Sequence, residues 1–364
     1  MRVLALESIY KAMIDHPLFR KFIAPVYRFV RYWKIGNKSQ NRLRQEIKRF
    51  KSCRNVHELP AIFHYWSNKY LVPKYLPFGF GNPKEFFHLY MMRCCRRFAS
   101  EDCRFISIGS GNCDFETEIA RMLLKSGVSN FVLECLDINK YLLKRGRALA
   151  EENGVINHMR FVCSDINLWK PIEPYHLVMV SQALHHFVAL ELLFDNIHKA
   201  LHPDGFFVAD DMIGRNGHMR WPEALAIVHE LWKELPDRYK YNHQLKRMEI
   251  EYENWDCSIV GFEGIRSQDI LPLLLEKFHF DLFVGFGNVI DIFVDRGFGH
   301  NFDPNRKFDT DFIDRVHAID EQSIKSGAIK PTHMTAAMTK NAMAQPKVHN
   351  RLTPEFCVRR PGLI

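Results

Sequence analysis

The 364-residue sequence predicts an α/β fold: a doubly wound, Rossmann-like, mostly parallel sheet of seven strands, closed by an antiparallel C-terminal strand pair. Three observations carry that expectation. From Cys103 onward, short apolar runs alternate with helical segments. Those runs are near-continuously apolar, as strands buried on both faces are. The first of them, Phe105-Ile106-Ser107-Ile108, enters a Gly109-Ser110-Gly111 turn and then a helix opening at Asp114. A strand, a glycine turn and a helix in that order set backbone N–H groups and bare Cα positions against a nucleotide-like ligand.

Residues 1–100 read as a basic helical N-terminal extension without strand alternation, with residues 60–100 expected as a lid. Leu18, Phe19, Phe22, Ile23, Val26, Tyr27 and Val30 recur at helical spacing between basic residues. That stripe suits a helix packed on the main domain, with a membrane surface or acidic partner as the other reading. Pro73, Pro77, Gly79, Gly81 and Pro83 mark a loop, and Pro83 to Phe98 a further helix. In the main domain, residues 101–300, the strands expected after the first are Phe131–Ile138, Met159–Cys163, His176–Val180 and Phe206–Ala209. Helices are expected over Tyr141–Asn153, stopped by Gly154, and over Leu190–Leu201. Residues 212–260, rich in Trp and Tyr, interrupt the alternation as a helical lid insertion. Gln268–Phe278 resumes it as a helix, and Phe280–Phe286 with Val289–Val294 form the expected antiparallel pair. Residues 301–364 read as a C-terminal extension, tail-like beyond Lys330.

The composition, 47% apolar and 25% charged, is ordinary for a soluble globular protein. The longest apolar runs fall far short of a membrane span, and no secretory signal is evident, so a cytoplasmic location is expected. Nine cysteines without a CxxC suggest neither a zinc site nor a disulfide framework. Residues 1–54 hold fourteen Lys/Arg against Glu7, Asp15 and Glu46, a local +11 within a total of +8. The basic character therefore belongs to an appendage, and the remaining chain is slightly acidic.

The GxG turn gains meaning from its sequels. Asp137 closes the next strand, where a carboxylate can accept from both ribose hydroxyls. Asp165 closes the third, placed to accept from an exocyclic adenine amine. Leu184-His185-His186 follows the fourth, and Asp210-Asp211 the fifth. Helix-capping roles for the two earlier aspartates, and a packing role for the histidine pair, stand beside these readings. A divalent ion on Asp210 and Asp211 is disfavoured because adjacent strand residues point to opposite faces, so no metal is expected.

Taken together, ISIGSGNCDFE, LDINKYLL, FVCSDI, LVMVSQALHHF and LHPDGFFVADD resemble the class I S-adenosylmethionine-dependent methyltransferase family over residues 103 to about 211. The resemblance implies S-adenosyl-L-methionine as co-substrate, held by Gly109, Ser110, Gly111, Asp137, Ile138, Asp165, Ile166 and Gln182. It also shows two departures: Ser107 stands where an acid is usual, and Cys113 where a third glycine is usual. Since the sulfonium is already an activated donor, the chain mainly aligns the acceptor, and a hydroxyl acceptor also needs a base. His185, His186, Asp211 and His218 are the catalytic candidates. The expected acceptor is a small molecule methylated at oxygen. The alternative is a membrane-associated lipid, quinone or lipid-linked sugar, or RNA, docked through residues 1–54.

Overall fold

Eight strands form one sheet, in the spatial order Lys347–Val348, His279–Phe286, His333–Thr339, Leu201–Met212, Tyr175–Ser181, Cys103–Ile108, Phe131–Asp137, Met159–Cys163 (β10-β8-β9-β5-β4-β1-β2-β3), and β6 (Tyr241–Asn242) pairs with β7 (Arg247–Met248) apart from it. The computed structural model describes residues 58–359, apart from 100, 167–168, 170, 172–173, 260–261 and 343–344. The basic segment 1–54 and its apolar stripe lie outside the described residues.

The parallel half matches the sequence expectation closely. β1 (Cys103–Ile108) pairs in parallel with β2 (Phe131–Asp137) and β4 (Tyr175–Ser181), β2 with β3 (Met159–Cys163), and β4 with β5 (Leu201–Met212). Helix α1 (Pro83–Arg97) precedes β1, with Asn82 accepting the Glu85 N–H as its N-cap and Pro83 in the first turn. The crossovers carry α2 (Asp114–Lys125), α3 (Lys140–Glu152) and α4 (Leu190–Ala200), so ligand-facing turns all fall at the carboxyl edge of the sheet.

Three expectations need correction. The helix α1 is no lid. Phe86, Phe87, Tyr90 and Met91 are 0–2% exposed, and Cys94 Sγ donates to the His176 carbonyl on β4. Its apolar residues are needed to cover the parallel strands. The aromatics of residues 212–260 are likewise partly core: Trp232, on α5 (Pro222–Glu234), packs edge-on against Phe298 and is 2% exposed.

The closing antiparallel pair is real, but its partners differ. After α6 (Ser267–Lys277), β8 (His279–Phe286) is the expected strand, whereas Val289–Val294 is a short helix, α7. Val289, Ile290, Phe293 and Val294 are all buried, and a six-residue apolar run does not distinguish a buried helix from a strand. The buried Asp320, on α8 (Lys307–Ser326), accepts the Val289 N–H at 2.7 Å. The true partner is β9 (His333–Thr339), from the stretch that reads as a tail, lying antiparallel between β5 and β8. A two-residue strand, β10 (Lys347–Val348), adds an eighth member at the edge. The β9 sequence, HMTAAMT, is weak in strand-forming residues apart from its threonines; pairing on both sides makes it a strand.

Candidate active site

β1 leads into Gly109 and Gly111, both at positive φ (76° and 54°). A Cβ on Gly109 would stand 2.7 Å from that of Ala183, while one on Gly111 would meet nothing within 4 Å. The first glycine lets the turns after β1 and β4 touch, and the second leaves bare backbone facing open space. The Gly111 N–H donates to Asp137 Oδ2 at 2.9 Å, and the Asn139 N–H to Oδ1 at 2.7 Å. Burial pushes the Asp137 carboxyl up, against the pull of those N–H groups. Asp137 does not cap α3; Asn139 does, accepting the Tyr141 N–H.

The Ser164 N–H donates to the Asp137 carbonyl at 3.1 Å, which sets Asp165 and Ile166 against the end of β2. Ile138 follows that end directly. Gln182, held at φ 51°, donates its side-chain amide to Asp210 Oδ2 at 3.2 Å. Gly109, Ser110, Gly111, Asp137, Ile138, Asp165, Ile166 and Gln182 thus share the carboxyl edge of β1 to β4.

Glu116 is a neighbour that sequence reasoning missed. The Ser107 hydroxyl donates to its Oε1 at 2.6 Å, so the first turn of α2 returns a carboxyl to the position where β1 lacks one. Glu116 is 3% exposed, and burial pushes its carboxyl up to about 7 despite the Ser107 hydrogen bond.

The turn that touches Gly109 also opens the second half of the site. β5 sends Asp210 and Asp211 to opposite sides, as adjacent strand residues must go. Asp210 accepts from Thr335 Oγ1 at 3.0 Å, and burial raises its carboxyl to about 6 against that bond and the one from Gln182. Asp211 faces the other way and is fully buried. Its Oδ2 accepts the N–H groups of Ala183 (2.8 Å) and Leu184 (2.7 Å), and its Oδ1 lies 2.6 Å from His185 Nδ1.

Around His185 stand His186, His218 and a second missed residue, Glu263. The ring centroids of His185 lie 4.1 Å from those of His186 and 5.3 Å from those of His218. His218 Nε2 is 3.2 Å from Glu263 Oε2. Burial opposes a charge on His185, yet Asp211 and Glu263 outweigh it and push the imidazolium up to about 10. His186 moves the other way, to about 4, through burial and the His185 charge beside it. Burial also lowers His218, against the Glu263 contact. His185 and His218 hold the Glu263 carboxyl well below the usual carboxylate range, although burial opposes this.

Glu263 sits in GFEGIR with no motif of its own, 52 residues after Asp211. Its loop is fixed from outside. The Ile265 N–H donates to the His185 carbonyl at 3.1 Å, and Arg266 forks onto Glu191 at 2.6 and 2.8 Å.

Residues 99–277 match a family model described as a methyltransferase domain. The chain carries a class I S-adenosylmethionine-dependent methyltransferase domain. The matched stretch contains both glycines of the turn, Asp137, Asp165, the histidine pair, His218 and Glu263. Solved structures of several methyltransferases are similar to the chain. One is the O-methyltransferase of a trans-AT polyketide synthase multienzyme from Brevibacillus brevis, in complex with S-adenosylhomocysteine. It is 14% identical, with 84% of this chain and 90% of that one covered and a TM-score of 0.42. A putative sarcosine dimethylglycine methyltransferase from Galdieria sulphuraria is 11% identical over 69% of this chain and 84% of that one, with a TM-score of 0.40. An S-adenosylmethionine-dependent methyltransferase from Geobacter sulfurreducens, also in complex with S-adenosylhomocysteine, is 12% identical over 71% and 92%, with a TM-score of 0.38. No curated protein sequence matches the chain. Among the described residues, no helix of the methyltransferase domain or its extensions is long and apolar enough to cross a membrane.

Proposed function

We propose that this chain transfers the methyl group of S-adenosylmethionine to a hydroxyl oxygen of a small-molecule acceptor. One observation carries the reading. The glycine turn with its Asp137 edge meets, through Ala183, a cluster of the buried His185 and Asp211 with the half-buried His218 and Glu263.

The residues present fit the co-substrate. Gly111 offers bare backbone to open space, and Asp137 has lone pairs beyond the two that its backbone donors occupy. Asp137 would hold the ribose hydroxyls, Asp165 and Ile166 the adenine, and Gln182 the opposite side. When bound, the co-substrate supplies an activated methyl on a positively charged sulfur. The chain then has to align the acceptor, exclude water and take up one proton.

His218 is the base in this reading. Burial favours its neutral form, and the Glu263 carboxylate beside Nε2 requires the proton there, leaving the Nδ1 lone pair to accept. His185 serves differently. Its positive charge, fixed between Asp211 and Glu263, steadies the negative charge that grows on the acceptor oxygen. Asp211 holds that imidazole in place and is a positioning residue. His186 stays neutral at its side.

Calorimetric titration with S-adenosylmethionine is the direct test: binding is expected, with affinity lost in Asp137→Ala. No binding, or an unchanged affinity in that variant, overturns the site assignment. Release of S-adenosylhomocysteine from a panel of small alcohols, phenols and amines then tests the acceptor. Turnover confined to the amines would reject oxygen methylation while leaving the methyltransferase assignment in place.

A further inference from the structure

Three potential ligand side chains converge beside the acceptor end of the site. His185 and His186 come from the turn after β4, and Glu263 from the loop entering α6. Their ligand atoms all lie within 4.8 Å of one another. His185 Nε2 stands 3.7 Å from Glu263 Oε2, and His186 Nε2 stands 3.9 Å from Oε1 of the same carboxylate. The two imidazoles therefore face different oxygens of the carboxylate, at separations too long for a hydrogen bond, and His218 Nε2 shares Oε2 with His185. The separation is close to that of two ligands sharing one ion: metal–nitrogen and metal–oxygen distances of about 2.0–2.2 Å in a tetrahedral zinc site set neighbouring ligand atoms roughly 3.4 Å apart. Completing such a set brings the ligand atoms inward from 3.7 and 3.9 Å at the carboxylate, and from within 4.8 Å between the imidazoles.

A second, independent observation points the same way. The remaining nitrogen of His185, Nδ1, is 2.6 Å from Asp211 Oδ1, and Asp211 is itself pinned by the Ala183 and Leu184 N–H groups. A histidine that binds a metal through one nitrogen nearly always gives its other N–H to a carboxylate or carbonyl, which fixes ring orientation and tautomer. Here that support is already built, on the residue whose Nε2 faces Glu263. Two histidines and one carboxylate on one side of an ion leave its other positions open, the arrangement of catalytic rather than structural sites.

The geometry points to a divalent transition-metal site, of the zinc class, formed by His185 Nε2, His186 Nε2 and the Glu263 carboxylate, with Asp211 as the outer carboxylate behind His185. His218 lies outside the ligand set, 3.2 Å from Glu263 Oε2 and edge-on to the His185 ring. The proposal stands on these positions and not on the methyl-transfer reading: the ion takes the place of the His185 Nε2 proton, so in the metal-bound chain the positive charge beside the acceptor is the ion's and not the imidazolium's.

The test uses the full chain, stripped with a chelator and dialysed. Zn²⁺ is titrated by calorimetry, and Co²⁺ by its visible absorption. One ion per chain is expected, with a cobalt spectrum of low coordination number. Glu263→Gln and His186→Gln should each weaken binding at least about 100-fold, and Asp211→Asn about 10- to 100-fold, the usual range for an outer partner. Wild-type protein that takes up neither ion overturns the proposal, as does binding that survives both ligand substitutions. S-adenosylhomocysteine affinity, measured on the same samples, reports whether each variant is folded. It also separates the two readings. Metal uptake without nucleoside binding sinks the methyltransferase assignment alone, and nucleoside binding without metal uptake sinks the metal site alone.

Discussion

The two halves of the proposed site are built in opposite ways. The co-substrate edge is made mostly of backbone: a turn at positive φ, N–H groups, and acids placed one per strand end within about sixty residues. The acceptor end is made of side chains brought from three separate segments, at 185–186, 211–218 and 263, and each is held by the others' charges. Backbone geometry tolerates drift in side chains but not in glycine. A charge cluster behaves the other way, since removing one member strands the buried charges among its neighbours without a counter-charge.

Four substitutions can break that contrast. The largest effect is expected for Asp211→Ala, which strips the buried His185 of its hydrogen-bonded counter-charge and leaves three backbone N–H groups, of Ala183, Leu184 and Met212, without an acceptor. A loss of about 3–5 kcal/mol in a urea unfolding titration is expected, as for a broken buried pair. A loss under about 1 kcal/mol would show that the cluster is not energetically coupled. His218→Gln should lower kcat about 100- to 10,000-fold, the usual worth of a general base, with S-adenosylmethionine affinity unchanged. A parallel loss of affinity would show that the halves are not separable. Gly109→Ala is the converse. A methyl group 2.7 Å from the Ala183 Cβ, on a residue at φ 76°, is expected to cost about 1–3 kcal/mol of stability and to weaken co-substrate binding. Equilibrium titration of the folded fraction checks it.

Glu116→Gln gives the smallest effect, and it depends on pH. The folded chain holds the Glu116 proton up to about 7, whereas its ordinary value is 4.5. Between those values the unfolded chain has lost a proton that the native state keeps, so the carboxyl's contribution is present below 4.5 and lost as pH rises through 7. The glutamine variant should therefore melt above the wild type near pH 8 and level with it near pH 4. A difference that does not change with pH would place the Glu116 carboxylate in contact with a compensating charge.

The contrast also explains what could be read without a structure. The apolar strands of the parallel half and their terminal residues are local patterns, and Gly109, Asp137 and Asp165 sit in them at fixed offsets. Glu263 has no such offset. It matters because Arg266 and Glu191 seat a loop over His185, an arrangement set by packing across 75 residues or more. Glu116 lies between the two cases. Its spacing from Ser107 was visible, but only the return of α2 over β1 brings the two together. Val289–Val294 and His333–Thr339 exchanged roles for a related reason. Apolar content marked the first as strand-like and its scarcity marked the second as a tail, yet pairing to β5 and β8 decides which segment joins the sheet.

That late strand has a consequence for how the chain is made. β9 fills a gap between β5 and β8, more than 120 residues after β5 and almost 50 after β8 have been synthesised. Until His333–Thr339 emerges from the ribosome, two apolar strand edges stand open in a nascent chain that already holds the proposed catalytic groups. A translation product halted near residue 330 is therefore a template for self-association. The seven residues of β9 decide whether those edges close within the chain or against another copy.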